Sequence, residues 1–340
     1  MTEALTLATD EVLVVPGLEE AEGFGPLPLQ NLTWTGEVLF DVYLKTKKKG
    51  QEKPHFVKCC GRGEAFQEKW FRKLAQLDIS CVYFAMQEME RVLQYLHLNL
   101  ELSCADGAQS ELPKGVQICD IVHMWTLNFF NKRTAEALKL GLQFLERLFE
   151  VIKGERQDVL PLLKVRRHKS LRLYTHCLHV CLLGLAFTHY LGWSREKIIG
   201  FGLGALIHDI GLIRTPRTIL GKKGTLAKEE MLEIKQHPLD GFRMVQNFVH
   251  LRWEALQMVL QHHENGDGSG YPKRLKAPNI HAWARILRIL DSYEAMTAER
   301  PWRPALEPKE ALWIMFEDWK KSRLFDQNYL MSFIKFLAGK

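Results

Sequence analysis

The sequence predicts a small α+β module at the N-terminus followed by an all-α helical domain. Two β-type runs around a Lys/Gly segment indicate a hairpin near the start of the chain. From residue 170 onward, apolar residues recur at helical spacing, and no alternating strand pattern interrupts them. We therefore interpret residues 1–104 as the α+β module, 105–154 as a linker with a connecting helix, and 155–340 as the helical domain.

Composition places the chain among ordinary globular proteins of about two domains. It has 340 residues, of which 46% are hydrophobic and 25% charged. The net charge of +6 is too mild to argue for a nucleic-acid partner. The seven cysteines include no CxxC pair, so a disulfide framework is not expected and a reduced, cytoplasmic setting fits.

Neither a signal peptide nor a membrane span is expected. Met1–Glu11 carries acids and no basic region before an apolar core. The longest apolar stretch, Ile198–Ile213, is too short and too polar to cross a bilayer, and it is interpreted as a buried helix carrying a site.

The N-terminal module is predicted to contain a hairpin and three further short elements. Its strands are Val38–Leu44 and His55–Cys59, and Lys45–Gly50 is interpreted as the tip of the hairpin. The further elements are helices over Phe66–Leu77 and Gln87–Leu98 and a strand over Cys81–Phe84.

After a predicted linker at Ala105–Gly115, the remaining segments have helical periodicity. The amphipathic segment Thr134–Ile152 is either a core or connecting helix or a dimerising signalling helix. The later helices are predicted over Ser170–Leu191, Arg195–Ile210, Lys228–Val249, Arg252–His262, Trp283–Thr297 and Pro308–Ser322.

Histidines and aspartates on these helices form a candidate metal centre. The doublets are His208-Asp209 and His262-His263, and three single residues accompany them: His176, His237 and Asp291. Neutral imidazole offers a nitrogen lone pair, and a carboxylate can bridge two cations. One histidine in an apolar helix is usually a hydrogen-bonded core residue, but seven such residues at ordered positions favour a metal site.

The motifs around these residues resemble the HD-GYP family of bacterial cyclic-dinucleotide phosphodiesterases. They are HDIG at 208–211, HPLDG at 237–241, HHENGDGSGYP at 262–272 and D-x-Y-E-A-M-T-x-x-R-P from Asp291 to Pro301. The resemblance covers about residues 155–335 and implies an HD-type helical fold. It also implies that the metal ligands are His176, His208, Asp209, His237, His262, His263 and Asp291.

The resemblance further assigns roles to individual residues. Asp209 would be the catalytic bridge between two divalent ions, iron or manganese, while Arg300 and Arg303 would face the substrate. Where the family has a phosphate-holding Lys, this chain has Leu212, and Arg214 is the candidate that compensates. Arg172 replaces an acid that supports a third metal in some members, so two ions are expected.

The resulting functional hypothesis is hydrolysis of cyclic di-GMP to the linear dinucleotide by a hydroxide that bridges the two ions, with a second step to GMP left open. Two alternatives stay open: a catalytically weak sensor of cyclic di-GMP or of a partner protein, favoured by Leu212, and another HD hydrolase, against which the GYP loop argues. Besides cyclic di-GMP, the expected partners are a signalling protein, at the GYP loop or the N-terminal module, and a second copy in a homodimer.

Overall fold

The computed structural model describes residues 12–14, 23–32, 36–48, 55–105, 114–152, 156–165, 171–222, 224–299 and 303–340. The chain divides into two compact units, Met1–Met124 with Arg166–Arg172 and Trp125–Val165 with Leu173–Lys340. The boundary lies inside a helix, whereas the centre of the predicted linker, 106–113, lies outside the described residues. No helix in these ranges is both long and apolar enough to cross a bilayer.

The first unit contains an antiparallel sheet. Its strands are β1 (Val12–Val14), β2 (Phe24–Pro28), β3 (Val42–Lys48), β4 (His55–Cys60) and β5 (Cys81–Ala85). β3 pairs with β1, β4 and β5, and β5 also pairs with β2, with Leu44 opposite Val57 and Tyr43 opposite Tyr83. The predicted hairpin is therefore confirmed as β3 and β4.

Two details of the hairpin prediction are wrong. β3 begins at Val42 rather than Val38, and Lys45 and Thr46 lie inside the strand instead of at its tip. Both side chains are buried, at 3% and 2% exposure, and because consecutive side chains of a strand point to opposite faces, both faces are covered here. The rest of the predicted tip, residues 49 and 50, lies outside the described residues.

Helices complete the first unit: α1 (Glu68–Gln76), α2 (Met89–Ala105) and the start of α3 (Lys114–Asn131). The core contains Phe40, Phe66 and Phe84, all at most 1% exposed. Neither β2 nor α3 was predicted. Proline at two of the five positions of β2 weakens the strand pattern, since proline cannot donate to a ladder.

The second unit is helical. It comprises the end of α3 together with α4 (Ala135–Ile152), α5 (Arg156–Leu162), α6 (Arg172–Tyr190), α7 (Arg195–Ile207), α8 (Arg217–Leu220), α9 (Lys228–Ile234), α10 (His237–Val245), α11 (Trp253–Gln261), α12 (Ala282–Thr297), α13 (Pro308–Ser322) and α14 (Gln327–Ala338). Phe187, Phe201 and Phe333 are fully buried in its core. The all-α prediction is thus confirmed, although α5, α8 and α14 were not predicted.

Two predicted helices end early, and both breaks bear on the candidate site. The segment predicted as one helix over 228–249 is two helices, α9 and α10, with Lys235 and Gln236 between them. Pro238 explains the break, because its ring would clash with the carbonyl of Ile234 in a continuous helix. Likewise, α7 ends at Ile207, so His208 and Asp209 occupy a turn before the 3-10 helix Ile210–Arg214.

Candidate metal centre

Five elements of the helical unit bring the seven predicted ligands together. They are His176 on α6, His208 and Asp209 after α7, His237 at the start of α10, His262 and His263 after α11, and Asp291 on α12. Six of these side chains are buried and His263 is half-buried.

Gly211 allows the turn after α7 to touch α10. A Cβ atom at this position would lie 1.9 Å from the carbonyl oxygen of His237 and 2.7 Å from the backbone nitrogen of Gly241. Only a residue without a side chain permits this approach. This contact brings the His208-Asp209 turn next to His237. The HDIG and HPLDG segments therefore contribute to one site.

The carboxylate of Asp209 lies at the centre of the cluster. Its Oδ1 is 3.2 Å from Nε2 of His237 and 3.4 Å from Nε2 of His262. Its Oδ2 is 3.4 Å from Nε2 of His208 and 3.7 Å from Nε2 of His176. Asp209 therefore belongs to two sets of ligand atoms, each within 4.8 Å of one another: one with His237, His262 and His263, the other with His176 and His208.

Asp291 adds a second carboxylate on the side of His176. Its Oδ1 lies 3.1 Å from Nε2 of His176. The predicted residues thus form two adjoining sets that share one acid, an arrangement that offers ligands to two cations.

Hydrogen bonds at Nδ1 fix the orientation of four imidazoles. The Nδ1 of His208 lies 2.8 Å from the carbonyl oxygen of Ala205, and that of His237 lies 2.7 Å from the carbonyl of Ile234. His262 directs Nδ1 to the carbonyls of α11, and His176 directs it to Glu294. Because carbonyl and carboxylate oxygens accept, each Nδ1 carries a proton and each ring directs its Nε2 inward, where it offers a lone pair to a metal when the ring is neutral.

These inward nitrogens require a cation between them. The Nε2 atoms of His237 and His262 are only 3.0 Å apart, and two lone pairs at that distance repel unless a proton or metal ion lies between them. The Nε2 of His208 is fully buried and has no hydrogen-bond partner. Buried polar atoms are normally paired, so this nitrogen, beside a carboxylate, fits a metal ligand.

Burial and the charges of the cluster both shift the pKa values of its side chains. Burial disfavours a charged imidazole, yet Glu294 and Asp291 raise the pKa of His176 to about 10. Burial would raise the pKa of the Asp209 carboxyl, but His208 and the other imidazoles hold it well below its usual value. Burial lowers the pKa of His262 to about 4, so this ring stays neutral at pH 7 and can bind a metal.

Glu294 is a residue of the site that the sequence interpretation missed. Its Oε2 lies 2.5 Å from Nδ1 of His176, and its Oε1 lies 3.2 Å from Nδ1 of His179. The contacts with these imidazoles hold its pKa at about 2, against the effect of burial. Its position three residues after Asp291, on the same helical face, was the available signal. His179, interpreted as structural or surface, thus contacts the same acid.

The Gly-rich loop is held against the cluster by Glu264, another unpredicted residue. This acid is 2% exposed and accepts hydrogen bonds from the backbone nitrogens of Lys273, at 2.6 Å, and Leu275, at 2.8 Å. Tyr271 stacks on His263 with ring centroids 4.7 Å apart. The loop therefore forms one wall of the site.

The predicted substrate-binding arginines are engaged elsewhere or lie outside the described residues. Arg214 forms a 3.5 Å ion pair with Asp240. Arg303 donates to the backbone carbonyls of Ala295, Met296 and Pro304. Arg300 lies outside the described residues.

Comparison with known proteins identifies the fold and the relatives of the chain. The HD domain family matches residues 165–328. Bd1817, an HDG"Y"P protein from Bdellovibrio bacteriovorus, is similar in structure, with a TM-score of 0.69 and 18% sequence identity over 93% of this chain and 100% of that one. At this identity, the likeness concerns the fold alone.

Curated relatives with higher identity are enzymes of cyclic dinucleotides. A cyclic di-GMP phosphodiesterase of Thermotoga maritima is 32% identical, over 70% of this chain and 67% of its own length. The cyclic di-GMP phosphodiesterase PA4108 of Pseudomonas aeruginosa is 34% identical over 48% of this chain, and the 3'3'-cGAMP-specific phosphodiesterase 1 of Vibrio cholerae is 34% identical over 47%. The chain spans 67%, 38% and 37% of the lengths of these three relatives.

Proposed function

Because the chain belongs to the HD-GYP branch of the HD-domain family, we propose that it is a metal-dependent phosphodiesterase that hydrolyses cyclic di-GMP. The observation that carries this proposal is the convergence of imidazole Nε2 atoms on the shared carboxylate of Asp209. This donor set suits a pair of transition-metal cations better than a structural hydrogen-bond network, which would leave no orphaned nitrogen at His208.

The two sets of side chains would each hold one ion. His237, His262 and His263 would hold one with Asp209, while His176, His208 and Asp291 would hold the other with the same Asp209. Iron or manganese fits the mixture of imidazole and carboxylate ligands. When bound, such ions polarise a phosphoryl oxygen and lower the pKa of water so that hydroxide forms near neutral pH.

Other residues of the chain orient the imidazole rings that would hold the ions. Glu294 holds the proton on Nδ1 of His176, which keeps Nε2 of that ring directed inward. Backbone carbonyls do the same for His208 and His237. The buried surroundings exclude bulk water, so the charges that develop on a phosphoryl group are screened less than in solution.

Cyclic di-GMP is the substrate favoured by the similarity to the Thermotoga and Pseudomonas enzymes. The expected product is the linear dinucleotide, and the assay also shows whether a second cleavage to GMP follows. The test is a chromatographic product assay with iron- or manganese-loaded protein. Offering 3'3'-cGAMP in parallel separates the two substrate classes represented among the relatives.

A second candidate function is binding of cyclic di-GMP without turnover. It is favoured by Leu212, a half-buried apolar residue in the 3-10 helix directly after Gly211. Metal-loaded protein that binds the nucleotide but forms no product with either metal would establish this sensor role.

In either case residues 1–104 would be a regulatory module, with 105–154 connecting it to the catalytic domain at 155–340. A signalling partner, a homodimer and a cytoplasmic setting remain part of the proposal.

A further inference from the structure

A cyclic dinucleotide carries two phosphodiester charges, and four arginines of the helical unit have other partners. Arg214 and Arg243 share the carboxylate of Asp240, each at 3.5 Å. Arg285 pairs with Asp326 at 2.5 Å. Arg303 is held by three backbone carbonyls. These pairings direct attention to the other cations near the loop that carries Tyr271, among the described residues.

Arg288 is one cation that retains a hydrogen-bond donor and a positive charge for a ligand. It lies on α12 one turn before Asp291, and its guanidinium donates from Nε to Asn265 at 3.1 Å and from Nη1 to Ser292 at 2.5 Å. Both partners are neutral. Within the described part of the chain, no carboxylate lies at ion-pair distance and Nη2 has no hydrogen bond. The charge of Arg288 is felt at the site: burial lowers the pKa of His263 and Arg288 adds to this effect, whereas burial raises the pKa of Tyr271 and Arg288 opposes it.

Lys235 is the second such cation. It lies in the turn created by Pro238, two residues before His237, and it is exposed. Its Nζ is 5.4 Å from the ring centroid of Tyr271, whose ring stacks on His263. No acid among the described residues pairs with this ammonium group. Lys235 is therefore an exposed cation over an aromatic ring beside the candidate metal centre, and it is available to an incoming anion.

We propose that Lys235 and Arg288 form an anion-binding pair beside Tyr271 that holds the phosphate groups of the cyclic dinucleotide. This inference rests on the proposed function and assigns the substrate contact to residues other than Arg214 and Arg303. The two side chains differ in character: Arg288 is fixed by its hydrogen bonds and offers a preset fork, whereas Lys235 is a mobile point charge at the solvent side.

The test compares Lys235→Gln and Arg288→Gln with wild type, and Lys309→Gln is the matched control. Lys309 is exposed on α13 and far in sequence from the loop. Each site variant should raise KM about tenfold, the value expected for one hydrogen-bonded charge, with kcat changed less than about threefold. The KM of wild type should also rise more steeply with ionic strength than the KM of either variant, because each variant has lost a screened attraction. The control should match wild type.

Arg288 also links the loop to α12, so a structural effect must be separated from a charge effect. Arg288→Lys keeps the charge and loses the hydrogen bond from Nε, and it should restore most of the affinity that Arg288→Gln loses. Metal content should be the same in all variants. If Arg288→Lys is as impaired as Arg288→Gln, or if neither Gln variant changes KM or its salt dependence, the anion-binding pair is refuted while the phosphodiesterase stands.

A calorimetric binding measurement distinguishes the two proposals. If wild type binds cyclic di-GMP without turnover, the same variants should weaken Kd by the same factor, which would support the pair and refute the enzyme. If metal-loaded wild type neither hydrolyses nor binds the nucleotide, the proposed function itself has failed, and the inference falls with it.

Discussion

Replacing Asp209 with Asn tests the shared carboxylate. The side chain keeps its shape and loses its charge, while four imidazole Nε2 atoms remain 3.2 to 3.7 Å from its oxygen positions. A neutral amide cannot bridge two cations, so we expect the metal content to fall from two ions per chain to one or none. If the lost stabilisation of the transition state is about 3 kcal/mol, the rate should fall about 100-fold or more.

Elemental analysis and a product assay on the same preparation measure both effects. Asp158→Asn is the matched control, because Asp158 is an exposed acid on α5 of the same unit. Thermal unfolding checks that the variant is folded. A folded Asp209→Asn protein that keeps two ions and the rate of wild type would refute the assignment of Asp209 as the bridge.

Three further predictions follow from the same geometry. Glu294→Gln should weaken metal binding about 10- to 100-fold in a chelator competition, because it removes the carboxylate that orients His176; unchanged affinity would contradict that role. Gly211→Ala should cost about 3 kcal/mol or more of unfolding free energy, since its Cβ would overlap the carbonyl of His237, whereas stability like that of wild type would show that the turn can shift. Metal-free protein should lose thermal stability as the pH falls from about 6.5 to 4. The reason is that folding lowers the pKa of His262 to about 4, so the unfolded chain binds more protons in this range. A melting temperature that does not change with pH in the presence of chelator would contradict this.

The elements that follow a single periodic pattern could be predicted from the sequence. Thr134–Ile152 and Pro308–Ser322 match α4 and α13 to within a residue, because nothing inside them opposes the helical pattern. The segment predicted over 228–249 failed at Pro238, where the local rule against proline in a helix interior outweighed the apolar periodicity. β2 was missed for the opposite reason, since its pairing with β5 overrides a sequence rich in Gly and Pro.

The site residues that belong to recognisable sequence motifs could be predicted, and the others could not. The structure brings all seven proposed ligands together, and their role as ligands remains a prediction. Glu294 had only its spacing from Asp291 as a signal, and Glu264 and Arg288 had none, because a single acid or arginine is usually a surface group. Their importance lies in tertiary contacts: a hydrogen bond to His176, two to the backbone of the loop, and a guanidinium that donates to Asn265 of the loop.

The most direct test of the account is a chromatographic assay of cyclic di-GMP hydrolysis by anaerobically purified protein whose metal content has been measured in the same sample. The account predicts that protein with two iron or manganese ions per chain releases the linear dinucleotide or GMP, and that chelator-treated protein releases neither. Protein that carries both ions and leaves cyclic di-GMP intact, or metal-free protein that turns it over, would contradict the central claim.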